Sequence, residues 1–163
     1  MLSRVTQVSQ DARQLVMWDE LGAGAPTLMA FAQLCSGALA SNRTEPDKPL
    51  DDEARAILYA ARHRGFIEIK GVNHAFESSE RFLTVCVELD LERQLIFKRR
   101  DDPELTIRFL DGFRQLCAGG LVMHHIYRDF SLTRPGFELA RSIPGDSLAV
   151  LHQLAEEQHL GEI

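Results

Sequence analysis

The apolar positions along this chain follow two rhythms, one recurring every third or fourth residue and one every second, and their order predicts helices separated by short strands. The clearest helix runs from Pro103 to Ala118, where Phe109, Leu110, Phe113, Leu116 and Cys117 fall on one face. Asp102 stands at its N-cap, Pro103 occupies the first turn where a missing N–H costs nothing, and Gly119-Gly120 closes it. Leu121 to Tyr127 reads as a strand, and Phe130 to Thr133 as a shorter one after a turn near Arg128-Asp129. Thr133 is placed to cap a further helix that carries Phe137, Leu139, Ala140 and Ile143 and stops at Pro144-Gly145.

The earlier part of the chain repeats this grammar. Leu15, Val16, Trp18 and Leu21 suggest a short first helix, broken at Gly22-Ala23-Gly24-Ala25. Pro26-Thr27 opens a second, to about Ala40, with Leu28, Phe31, Leu34, Cys35, Ala38 and Leu39 on one side. Ser41 to Pro49 is a polar, proline-bounded linker. Asp51 or Asp52 caps the next helix, whose stripe is Ala54, Ile57, Leu58 and Ala61 and whose terminator is Gly65. Phe66 to Lys70 alternates as a half-buried strand, Val72 to Arg81 reads as a loop, and Phe82–Leu89 with Arg93–Lys98 form a hairpin across Asp90-Leu91-Glu92. A last helix capped by Asp146 or Ser147 carries Leu148, Leu151, Leu154 and Ala155.

The run Gly120-Leu121-Val122, an extended segment, Phe130-Ser131-Leu132-Thr133 and then Pro135-Gly136-Phe137-Glu138-Leu139-Ala140 resembles the end of a winged-helix domain of the MarR-like kind. There a recognition helix leads into "G-L-V", a wing, and "L-T-x-x-G-x-x-L". The resemblance is confined mainly to residues 101–143. It implies a winged-helix-like domain over residues 50–143, in which Pro103–Ala118 is the recognition helix. The hairpin at 82–98 departs from that pattern, since a simple winged helix has only a short helix and turn there. The expected fold class is therefore α+β: helix-rich, with a small antiparallel sheet, an N-terminal helical extension and linker over 1–49, and a C-terminal helix over 144–163.

Size and composition narrow the function less than the fold. At 163 residues, 45% of them hydrophobic and 26% charged, the chain has the makings of one good core. It has no apolar run near the roughly 20 residues that span a bilayer, and Met1 to Gln14 lacks the apolar core of a secretory signal, so no membrane partner is expected. Cys35, Cys86 and Cys117 are odd in number and set in apolar contexts, which points to reduced core thiols in the cytoplasm. With 24 acidic and 18 basic side chains the formal charge is −6, the opposite of the basic footprint a duplex binder shows.

Candidate chemistry is sparse. The outward face of Pro103–Ala118 offers Arg108 and Gln115, with Arg114 nearby, for base or phosphate contacts, but Glu104, Asp111 and Gly112 share it. Lys98-Arg99-Arg100 is the one tight basic cluster, followed at once by Asp101-Asp102, and Arg128 lies at the turn of the wing. His124 and His125 adjoin on a strand and so point to opposite faces. His152, Glu156 and His159 fall at i, i+4 and i+7 of the last helix without a fourth ligand nearby, so no metal is expected. No phosphate loop, nucleophile elbow or Cys–His pairing is visible, and neither a catalytic set nor a cofactor is expected. The resulting expectation is a non-enzymatic module that makes mainly protein contacts, self-association through Leu148, Leu151 and Leu154 included. The alternative is a dimeric winged-helix transcriptional regulator that binds duplex DNA.

Overall fold

The computed structural model describes residues 26–42, 48–71 and 82–159, and within them all side chains except those of Ser147, Val150, Leu154, Glu156 and His159. Its elements in chain order are α1 (Pro26–Ala40), α2 (Asp52–Ala61), β1 (Phe66–Lys70), β2 (Thr84–Glu88), β3 (Arg93–Phe97), α3 (Pro103–Ala118), β4 (Val122–His124), β5 (Asp129–Leu132) and α4 (Arg134–Ser142). A 3-10 turn (Gly145–Leu148), α5 (Ala149–Leu154) and β6 (Glu156–His159) complete it. The helix expected before Gly22, the middle of the linker and the loop at 72–81 lie outside the described residues.

The fold is α+β, as the patterning predicts, but the sheet is larger than expected. Six antiparallel strands lie in the order β4-β5-β1-β2-β3-β6. The hairpin at 82–98 is the reason: β2 pairs with the free side of β1, so the hairpin extends the sheet on the side away from the β4–β5 hairpin. Its turn is held by Asp90, whose Oδ1 accepts from the N–H groups of Glu92 and Arg93 at 2.9 Å each. On the inner face Ile67, Ile69, Val85, Val87, Leu95, Phe97, Phe130 and Leu132 are buried under the helices.

Helix α3 seals that face with residues one turn apart. Phe109 packs on Phe97 of β3 at 4.6 Å between ring centroids, and Phe113 meets Phe130 of β5 edge-on at 5.0 Å. Phe113 also meets Phe31 of α1 edge-on at 5.2 Å, so one aromatic row ties α1 through α3 to the sheet. The caps of α3 and α4 form as predicted: Asp102 Oδ1 accepts from the Leu105 N–H, and Thr133 Oγ1 from the Gly136 N–H. Thr133 does more than cap. Its hydroxyl donates to the Gly120 carbonyl at 2.7 Å and its N–H to the Leu121 carbonyl at 3.0 Å, while a Cβ on Gly136 would run into that Leu121 oxygen. The Gly120-Leu121 and Thr133-x-x-Gly136 phrases are thus two halves of one contact.

Four expectations need correction. The last helix ends at Leu154, and residues 156–159 form β6 on the edge of β3, because Ala155 takes an extended conformation. Leu34 and Leu39 lie at the exposed margin of α1, where the row of Leu28, Phe31, Ala32, Cys35 and Ala38 turns inward. Asp51 is the N-cap of α2 but its side chain makes no capping bond; its Oδ2 instead accepts from Gln115 Nε2 at 2.6 Å. Gly112, assigned to the outward face of α3, is buried against α2, where a Cβ would stand 2.7 Å from the Ala54 backbone nitrogen. The missing side chain is what lets α2 and α3 cross so closely.

That crossing gives a sharp expectation. In an exposed helix Gly→Ala gains about 1 kcal/mol of helix propensity, but overpacking a rigid contact costs about 1–3 kcal/mol. The obstruction here is backbone, which cannot rotate away, so Gly112→Ala lowers the unfolding free energy on urea denaturation and Gly112→Val lowers it further.

Candidate interaction surface on helix α3 and the β4–β5 hairpin

The buried stripe of α3 leaves Glu104, Ile107, Arg108, Asp111 and Arg114 facing outward, with Leu110 and Gln115 at its margins. Each polar reader among them is already engaged within the chain. Arg114 donates to Asp111 Oδ1 through Nε at 2.9 Å and Nη2 at 2.6 Å. Gln115 Nε2 is held by Asp51, and its Oε1 accepts the Asp51 N–H at 3.1 Å. Arg108 lays Nη2 against Oε1 of Glu53 on α2, an ion pair without hydrogen-bond alignment. Glu53 reads in sequence as one of several acids favouring a helix start, yet it is only 6% exposed.

The remaining predicted cations are scattered. Lys98, Arg99 and Arg100 lie on the exit from β3, where Arg99 Nε donates to Asp101 Oδ1 at 2.9 Å and holds that carboxyl below the usual carboxylate range. Arg128, beside the turn of the β4–β5 hairpin, stands 3.8 Å from Glu68 of β1. The structure brings Arg108, Arg114 and Gln115 onto one helix, each against a carboxylate, and the basic cluster precedes that helix beyond the Asp101-Asp102 pair. Of the leucines proposed for self-association, Leu148 is fully buried, Leu151 is partly buried against the chain's own core, and the side chain of Leu154 lies outside the described set.

Three exposed apolar side chains on α3 and the β4–β5 hairpin lie outside any buried stripe that sequence periodicity marks. Ile107 sits off the α3 stripe and is 54% exposed. Ile126 and Tyr127 project at the turn of the β4–β5 hairpin, and Tyr127 holds a left-handed backbone, φ +49°, with its ring half exposed. A bulky residue there stores strain that glycine would avoid. The hairpin turn is braced by His124, whose Nε2 donates to the Tyr127 carbonyl at 2.7 Å, and His125 shares a 2.7 Å hydrogen bond with Ser131.

Little else in the described residues resembles reaction chemistry. All three cysteines are buried and unpaired by disulfides. Burial pushes the Cys86 thiol up to about 11 against the pull of Lys70, and burial followed by the neighbouring Cys35 thiol pushes Cys117 well above its ordinary range, so neither is a ready nucleophile. His152 lies on α5 while Glu156 and His159 belong to β6, and no cluster of three metal-ligating residues occurs among the described residues. A half-open groove of about 140 Å³ between α1 and β4 is lined mainly by Cys35, Leu39, Val122, Met123 and Pro135. No helix among the described residues is long and apolar enough to cross a membrane. Compared with models of protein families, with curated proteins and with solved structures, the chain finds no match in any of the three.

Two measurements probe this electrostatic arrangement. Arg108→Ala leaves the Glu53 carboxylate buried without its partner, at a cost of about 1–3 kcal/mol in unfolding free energy, and Glu53→Gln in the same chain recovers part of it. A double-mutant cycle in urea reads the coupling directly. The second concerns His152, whose Nε2 donates to the Ala56 carbonyl at 3.2 Å and whose ring lies 5.2 Å from Tyr59. Burial, aided by the Arg62 charge, lowers its pKa in the folded protein against the opposing Ala56 bond. The unfolded chain then takes up a proton first, so stability is whole above about pH 6.5 and falls as the pH drops below it. His124, lowered chiefly by burial, slopes the same way. Replacing His152 by Leu flattens the decline between pH 7 and 5 in thermal unfolding.

Proposed function

We propose that this chain is a non-enzymatic interaction module, a winged-helix-like scaffold that uses α3 and the β4–β5 hairpin for protein contacts. One observation carries the reading: on the face that would read duplex DNA, Arg108, Arg114 and Gln115 are each held by a carboxylate of the same chain. Phosphate binding gains its affinity by releasing counterions from the nucleic acid, and a cation already neutralised within the protein contributes little to that release. The exposed Ile107, Ile126 and Tyr127 suit a protein partner better, since apolar and aromatic anchors dominate such interfaces.

A dimeric winged-helix regulator that binds duplex DNA is the second reading, and connectivity favours it. Helix α2 leads into β1 and, after the inserted β2–β3 hairpin, α3, β4 and β5 follow, with β5 paired between β1 and β4 and Arg128 exposed at the β4–β5 hairpin. Fluorescence anisotropy with mixed-sequence duplexes at low salt separates the two. Under the protein-contact reading no saturable binding appears tighter than about 10⁻⁴ M, the weak end of non-specific affinity. Saturable binding whose affinity falls with added salt, and is weakened by Arg128→Ala, would establish the regulator instead.

A further inference from the structure

Strand β6 is held on the sheet in an unusual way. It covers the open edge of β3 in the register Arg93↔His159 to Ile96↔Glu156, yet its four residues, Glu-Glu-Gln-His, include no apolar side chain. What fastens it besides the ladder is polar: Arg93 Nη1 donates to Glu157 Oε1 at 3.1 Å, and Gln94 Nε2 to Gln158 Oε1 at 2.9 Å. Arg93 and Glu157 are both well exposed, where an ion pair adds little, so the strand stays in place without hydrophobic burial. The segment before it is anchored separately. Leu148 is fully buried, His152 packs on Tyr59 and Ala155 rests against the core, so the root of β6 is held independently of its ladder.

The edge beneath β6 carries a recognisable code. Gln94 is buried, and Lys70 from β1 donates to its Oε1 at 2.9 Å, which fixes the amide so that its N–H group faces the neighbouring strand. A strand lying on β3 must therefore bring an acceptor opposite Gln94, or leave a buried donor unsatisfied. One residue earlier a carboxylate comes within reach of Arg93 Nη1, whose Nε is held by Asp90 Oδ2 at 2.7 Å. Glu157-Gln158 supplies both groups, and so would any extended segment with an acid followed by a hydrogen-bond acceptor.

We propose that the β3 edge is a docking site for an extended acidic segment of a partner protein, added as a strand, and that β6 is the chain's own occupant holding the site closed. Strand addition draws its affinity from main-chain hydrogen bonds and its selectivity from alternate side chains, which matches a ladder flanked by Arg93 and Gln94. The tethered β6 competes at high effective concentration, so the site opens only to a segment that outbids it or when its hold is weakened. The proposal rests on the protein-contact reading, but the two fail separately: duplex binding removes that reading and leaves the edge as described, whereas an unresponsive edge removes the proposal alone.

The test uses the full chain and a fluorescein-labelled peptide with the sequence of residues 155–160, Ala-Glu-Glu-Gln-His-Leu. Glu157→Arg sets like charges together at Arg93 and loosens β6, and Gln158→Ala serves as the milder variant if the first does not fold. The expected result is at least about tenfold tighter peptide binding by the loosened variant than by the unaltered chain. A peptide with lysines in place of both glutamates does not bind, and adding Gln94→Ala cancels the gain. Hydrogen exchange at the amides of residues 93–96 quickens in the variant and slows again with peptide. Equal peptide affinity in both proteins overturns the proposal. So does a doubled mass in light scattering with the peptide left unbound, which would show that a second copy's strand fills the edge.

Discussion

Two helix backbones approach at Gly112 and Ala54 so closely that no side chain fits between them, and the rest of the molecule is spaced from that contact. With α2 and α3 locked at this distance, Asp51 reaches Gln115 on one side of the crossing and Glu53 reaches Arg108 on the other. The same contact fixes α3 over the sheet, so Phe109 and Phe113 fall on β3 and β5. One hydrogen atom in place of a methyl therefore sets the reach at which Arg108 and Gln115 meet their carboxylates. Any duplex approaching α3 meets guanidinium and amide groups already turned toward carboxylates, while Ile107 stands unencumbered between them.

Much of this was legible from residue order. The caps Asp102 and Thr133, the stop at Gly65, and the hairpins at 82–98 and 121–133 are local events, each decided by a few neighbouring residues. Their signals survive because local propensity and the final packing agree. Gly65 takes φ +70°, as a terminator should, and the ring of Phe137 fills the space where its side chain would be.

The misplacements share one cause, which is that they depend on residues distant in the chain. Gly112 looks like a polar-face position by periodicity, and only the arrival of Ala54 makes it an interior one. Nothing within Glu-Glu-Gln-His marks it as a strand, since its conformation comes from the edge of β3 some sixty residues earlier. Glu53 reads as a helix-start acid and becomes a buried one when α3 covers it. The candidate surface was half visible for the same reason. Its charged members could be named from sequence, but their internal partners could not, and the exposed Tyr127 is recognisable only once its backbone angle is known.

The strand order has a consequence for how the chain is made. Strand β1 finds one neighbour in β2, about fifteen residues later, but its other neighbour, β5, is not complete until residue 132. During synthesis one side of a largely apolar strand must wait, with its hydrogen-bonding groups unpaired, for more than sixty residues to follow. Such delayed, long-range closure slows folding and exposes a sticky edge to neighbouring chains. The contact of Thr133 and Gly136 with Gly120 and Leu121 does not shorten that wait, but once residue 136 is made it ties the end of β5 to the end of α3.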